Sequence, residues 1–345
     1  MTSMQSIRRK LIFAGAGIAV LGAVPARAQP KAKYVVKLGH LEAPTQPRHQ
    51  GLLKASELLK RRTNGEMEFQ LFPASQLGNA RQIVEGVQFG TAEATMMPAA
   101  FLGGFNPAVS ILDIPYLFPT DRSKSEQLRE SAFGKAVLDS FSSRQLLGVT
   151  LWPNGRKSLS SNKPLDKLTE LRGQKFRVMD SRILIEQFAA VGASAVAINF
   201  SELYTSLQTG VIDGQENPLD TISTMKFHEV QKFLVVTEHG AMEDVFLVNP
   251  GWWGKLPQSH REALLKTLAE VRPETEKLKE EAQQKSLEMI RASGKIQVRV
   301  ADEAERKRLR DVMAPKAQAA YLERAGAEGK KLLDLYQQEA KRLGI

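Results

Sequence analysis

Two α/β lobes are the fold this sequence predicts. Three observations carry that reading. Strand-like and helical segments alternate along most of the chain. At 345 residues it is too long for one compact core. No Gly/Ser linker or repeat marks a clean boundary, which suits two lobes joined by several crossings rather than beads on a string. With 42% hydrophobic and 25% charged residues, the composition argues against disorder, collagen and low complexity.

The N-terminus reads as a leader. Arg8, Arg9 and Lys10 form a positive region, Leu11 to Val24 an uncharged, largely apolar run of 14 residues, and Ala26, Arg27 and Ala28 a small-x-small cleavage site. The run is shorter than the roughly 20 apolar residues of a membrane anchor. Residues 1–28 are therefore expected to be a cleaved signal peptide and the product periplasmic. The Arg8-Arg9 pair admits the twin-arginine route beside the general secretory one, although Ile7 stands where that motif has Ser or Thr. Cleavage removes four positive charges and no negative ones, leaving 44 cationic against 38 acidic side chains, or +6 over 317 residues. Gly15 and Gly17 open like a dinucleotide fingerprint, but Val20 stands where its third glycine belongs.

Beyond the leader the elements follow in order. Tyr34 to Leu38 reads as a strand, followed by a loop with Pro44 and Pro47. Leu52, Leu53, Ala55, Leu58 and Leu59 recur at helical spacing between Gln50 and Arg62, and Asn64-Gly65 is a turn. Met67, Phe69 and Leu71 alternate as in a strand. Ile83, Val84 and Val87 mark a helix ending near Gly90, and Ala92 to Met97 a strand. Leu146 to Trp152 and Lys175 to Met179 are strand-like, Ile183 to Val191 helical, and Ala195 to Ile198 a strand. Ser201 is placed to cap a helix running to Gln208, with Gly210 as its stop. Val211 to Gly214 reads as a short strand into a turn; Phe233 to Thr237 and Val245 to Val248 are β-rich. From Pro257 onward the pattern is long helices. The expected division is lobe I from 29–153 plus about 243–282, and lobe II from 154–242 plus about 283–345.

The chemistry is defined largely by what is missing. The absence of cysteine excludes disulfides, thiolate metal sites and cysteine nucleophiles. There is no G-x-S-x-G elbow, P-loop or H-E-x-x-H, so no enzyme is expected, nor a cofactor or a metal site. His40, His49, His228, His239 and His260 are scattered without ligand spacing. The basic runs at Lys60–Arg62 and Arg306–Arg310 lie in helical patterns without aromatic interleaving, so no nucleic-acid partner is expected. What stands out is Arg177, a charge inside an apolar strand. Alternation puts it on the opposite face from Phe176 and Val178. A guanidinium offers a rigid fork that grips a carboxylate two-pronged, while an ion pair to Asp180 or Glu216 is the structural alternative. Asn217 precedes Pro218 and reads as a turn residue; Arg156 and Lys157 follow Asn154-Gly155 as loop cations.

Several stretches carry a resemblance. Gly173 to Leu219 (GQKFRVMDS…VGASAVAINFSELYTSLQTGVIDGQENPL), Phe72–Gly78 (FPASQLG), Ile114–Phe118 (IPYLF) and Phe227–Lys232 (FHEVQK) resemble the DctP-type solute-binding proteins of TRAP transporters, across essentially the whole mature chain. The resemblance implies a bilobal periplasmic-binding-protein fold. Two α/β lobes close like a Venus flytrap around a ligand cleft, with a long helix crossing both. It implies a receptor that hands a small organic acid to a membrane permease of small and large integral subunits, driven by an ion gradient. On the same ground Arg177 pairs with the ligand carboxylate, Asn217 adds a hydrogen bond and Phe200 packs near the ligand. A second family arginine, aligned without gaps, falls on Lys157 with Arg156 one residue early. The segment Pro98–Phe101 lacks the extra arginine of sialic-acid binders. His40, Asp180 and Arg182 lie on or near the expected cleft segments. Two or three charge-assisted bonds with modest apolar burial would reach about −8 kcal/mol, near micromolar affinity. An ABC-type or sensory receptor, or an exported hydrolase, are the rival readings.

Overall fold

The computed structural model describes residues 32–345; the expected signal segment lies outside the described residues. β1 (Tyr34–Gly39) leads into α1 (Pro47–Arg62), which begins three residues before the periodic stretch because Pro47 sits at the first helical position, where no N–H is needed. β2 (Met67–Phe72) returns parallel to β1. α2 (Ala80–Phe89) starts in a capping box between Asn79 and Gln82 and stops at Gly90 in the left-handed conformation. β3 (Ala94–Pro98) pairs with the other edge of β1. The stretch that sequence periodicity left unassigned holds 3₁₀ turns at Ala99–Phe101 and Pro107–Asp113, then α3 (Arg122–Glu130) and α4 (Ala132–Asp139).

β4 (Leu147–Ser161) is far longer than expected and runs straight through the Asn154-Gly155 pair. β5 (Lys175–Val178), α5 (Arg182–Ala190), β6 (Ser194–Ala197) and α6 (Leu203–Gln208) follow. Ser201 is not the cap; it lies inside a 3₁₀ turn, Phe200–Glu202, that precedes α6. β7 (Gly214–Pro218) starts where the strand was expected to end, α7 (Leu219–Thr224) continues it, and β8 (Phe233–Val236) and β9 (Ala241–Val248) come next. α8 (Pro250–Lys255), α9 (Gln258–Ala292), β10 (Gln297–Val300) and α10 (Glu303–Leu343) complete the chain.

The strands pair in the order β2-β1-β3-β9-β4-β7-β5-β6, with β8 joining β4 and β10 joining β8. β4 belongs to two sheets. Its first part, to Arg156, runs antiparallel to β9; from Lys157 it runs antiparallel to β7. The register shifts between Pro153 and Arg156, where Gly155 adopts a φ of +93°. Each sheet is the centre of one lobe, so the fold is α/β and bilobal.

Two helices, not one, cross both lobes. α9 gives Leu264, Leu268 and Val271 to the core on the first sheet and Ile290 to a core on the second. α10 gives Leu309 and Met313 to the second lobe, and Ala317, Tyr321, Leu332 and Leu333 to the first. α10 breaks at Gly326, whose φ of 55° and ψ of −138° leave the helical region.

Candidate functional site

Between the lobes lies a small cavity of about 20 Å³. Its walls come from the loop after β1, the end of β3, β5, β7 and α7, the segment where strands of both sheets present their ends. Most of the surface is apolar: Leu41, Pro98, Phe101, Met179 and Met242 contribute.

Arg177 is fully buried in this wall. Parallel pairing sets it opposite Gln215, so on β7 the side chains of Gln215 and Asn217 share its face. Arg177 Nε donates to the carbonyl of Ile198 at 2.9 Å, which holds the fork still. Among the described residues, Nη1 and Nη2 have no partner. Burial lowers the guanidinium to about 10, with Glu216 pulling the other way, so the group is charged at neutral pH. Neither Asp180 nor Glu216 is within ion-pair distance of it. The Phe200 ring centroid lies 6.0 Å from the guanidinium carbon, and both residues line the cavity. Asn217 lines it too, with its amide donating to Gln215 Oε1 at 2.5 Å.

Lys157 is elsewhere. Its alternation partner on β7 is Pro218, which puts it on the face of Glu216, away from Asn217. There Nζ meets Glu216 Oε1 at 2.8 Å, fully buried. Glu216 Oε2 also takes Gln187 Nε2 at 2.6 Å and lies 2.7 Å from His239 Nε2. Burial would raise the Glu216 carboxyl, but Lys157 and His239 outweigh it and hold it near 2. Arg156 is also absent from the cavity wall; its guanidinium caps the carbonyls of Phe118, at 3.3 Å, and Pro119. His40 is buried beside the cavity, its Nε2 3.0 Å from His49 Nδ1. Burial first, then Arg48, bring His40 down to about 3, so it is neutral. Asp180 is exposed just past β5, and Arg182, also exposed, pairs with Glu186 one turn on.

Sequence reasoning missed Glu42 and Arg48. Both line the cavity and are 4% exposed. Arg48 reaches Glu42 Oε1 at 2.9 Å, Asp244 Oδ2 at 2.7 Å and the carbonyl of Met96 at 3.2 Å. Lys279 of α9 stands behind, 2.6 Å from Asp220 and 3.7 Å from Glu42. The available signal was position: charged residues in the loop after the first strand of an α/β lobe and in the first turn of the helix that follows it.

Size alone does not mark a site. A wider hollow of about 380 Å³ lies between Tyr116, Arg156, Glu238, Arg306 and Tyr336, but Arg306 there is matched by Glu238 at 2.7 Å and Arg156 by carbonyls. Among the described residues no group of three or more His, Asp or Glu side chains is placed to hold a metal ion, and no helix is long and apolar enough to cross a membrane.

Comparison with known proteins agrees with this architecture. Residues 38–324 match the model of the bacterial extracellular solute-binding proteins, family 7. The chain is 32% identical to the C4-dicarboxylate-binding periplasmic protein DctP of Rhodobacter capsulatus, covering 93% of this chain and 96% of that one. It is 57% identical to a TRAP periplasmic solute-binding protein of Desulfovibrio salexigens solved with bound orotic acid, with a TM-score of 0.89 over 90% of this chain and 100% of that one. A similar protein from Shewanella oneidensis, solved with succinate, is 29% identical with a TM-score of 0.82 over 89% of this chain and 99% of that one.

Proposed function

The chain belongs to the bacterial extracellular solute-binding proteins, family 7, and we propose that Arg177 makes it a receptor for a small carboxylate. As a TRAP-type solute receptor it performs no chemistry; it binds, closes and hands over. Its periplasmic place agrees with that of its curated relatives, and export through a cleaved signal at 1–28 is part of this proposal.

One observation carries the ligand class: a buried guanidinium whose two terminal nitrogens have no partner among the described residues. Leaving such donors unmatched costs about 1–3 kcal/mol or more each. A carboxylate matches both at once and neutralises the charge. Asn217 supplies a neighbouring amide and Phe200 a ring beside the fork. The orotic acid and succinate of the similar structures are small carboxylates.

Closure follows from the wall's composition. Arg177, Asn217 and Thr221 come from the second lobe, Leu41, Glu42 and Phe101 from the first, so only the shut form presents all of them to one ligand. A ligand that touches both walls favours the shut form by that difference in contacts. The hinge is proposed at the Pro153–Arg156 register shift of β4, with lobe I on its N-terminal side and lobe II beyond. The closed receptor then docks on a membrane permease.

The test is calorimetry with orotic acid and succinate. Arg177→Ala is expected to weaken binding by roughly 100-fold or more, and Arg177→Lys nearly as much, because a point charge does not reproduce the fork. Circular dichroism checks folding. A folded Arg177→Ala protein with wild-type affinity refutes the role.

A further inference from the structure

Building on the carboxylate reading above, we infer that Glu42 is a second polar subsite and that the cargo is a monocarboxylate carrying an N–H or O–H donor. Glu42 lines the same cavity as Arg177 and is 4% exposed. Its Oε1 lies 2.9 Å from Arg48 Nη2 and 3.7 Å from Lys279 Nζ. Its Oε2 accepts no hydrogen bond among the described residues, since the nearby Asn154 amide donates to Asp244 Oδ1 at 3.0 Å instead. A buried oxygen that lines a ligand cavity and lacks a protein donor is matched when the ligand brings one.

The charge state fixes the sign of that contact. Burial pushes the Glu42 carboxyl up, but Arg48 and Lys279 outweigh burial and hold it below the ordinary carboxylate value. An ionised carboxylate only accepts. A second carboxylate on the ligand would meet it charge against charge, in a site with little solvent to screen them. Arg48, the other cation in the wall, is already engaged by Glu42, Asp244 and the Met96 carbonyl. The walls thus read the ligand in order: an anionic end for Arg177, a body that tolerates Leu41, Pro98, Phe101 and Met242, and a donor for Glu42. Orotic acid has that pattern, a carboxylate with ring N–H groups; succinate has two carboxylates and no donor.

The experiment is calorimetry on the full mature chain with orotic acid, galactonate (a monoacid bearing hydroxyls) and succinate. At least one of the two donor-bearing acids is expected to bind roughly 30-fold or more tighter than succinate. Glu42→Gln removes the charge but keeps an acceptor, and is expected to narrow that ratio roughly tenfold, mainly by letting succinate in. The wild-type ratio needs no variant, so the claim survives a substitution that upsets Arg48. Succinate binding as tightly as the donor-bearing acids overturns the Glu42 assignment alone. An unchanged ratio in a folded Glu42→Gln protein, judged by circular dichroism, does the same. If none of the three acids binds, the carboxylate reading falls and this one with it.

Discussion

Lys157 and Arg177 are both buried cations, and alternation separates their roles. Arg177 faces the cavity with two nitrogens unmatched, whereas Lys157 faces the other way and completes Glu216. Removing Lys157 strands a buried carboxylate. Lys157→Ala is expected to destabilise the fold by about 3–5 kcal/mol in urea unfolding. Ligand affinity, measured where the variant is still folded, should not change; a selective loss of affinity would mean that Lys157 touches the ligand. His40 makes a pH prediction. Its folded value, near 3, lies below the usual 6.5, so the stability it contributes is present above pH 6.5 and is lost as pH falls toward 3. The slope from this group is at most about 1.4 kcal/mol per pH unit. Replacing His40 by Asn should flatten the acid limb of the urea midpoint against pH. Arg177 was legible because an isolated charge in an apolar strand is conspicuous. Glu42 and Arg48 were not, because Arg48 meets Asp244 across 196 positions of chain.

At the scale of elements, two misreadings have physical causes. Asn154-Gly155 looks like a turn, but flanking pairing with β9 and β7 draws both sides into one strand and leaves only a register shift. β7, with the sequence GQENP, has no apolar alternation, yet all five residues are buried. Partners on β4, α5 and the turn between β8 and β9 match its polar groups: Gln215 donates to Ser160 Oγ at 2.9 Å, and Glu216 has its three partners. The helices and strands with clear apolar periodicity, such as α1, β2 and α5, were readable to within a few residues, whereas α3 and α4 went unassigned and β10 fell in a stretch read as helical. Close packing between elements gives a prediction of its own. α1 lies so near α9 that a Cβ on Gly51 would stand 2.2 Å from Thr275 Oγ1. Gly51→Ala is expected to force the helices apart and to cost about 1–3 kcal/mol despite its better helix propensity. A melting temperature at or above wild type would show that α9 yields easily.

At the scale of the whole molecule, polar contacts span the lobes. Lys279 links Asp220 with Glu42, Ser181 Oγ donates to Asp113 Oδ2 at 2.7 Å, and Gln46 Nε2 reaches Thr221 Oγ1 at 3.4 Å. On the proposed hinge motion each is lost when the lobes part, so together they favour the shut form. Lys279→Met should shift the unliganded protein toward the open form. Small-angle scattering would record a larger radius of gyration without ligand, and affinity should fall by roughly tenfold. No change in radius would mean that the crossing helices alone hold the lobes in place.

The position of those helices also governs when folding can begin. α9 and α10 supply side chains to cores in both lobes, and β3 waits for β9 about 150 residues later. A growing chain emerging from the ribosome has all its strands by Val300, but the core faces that α10 covers stay bare until that helix is made. Full packing of either lobe therefore waits for the C-terminal helix.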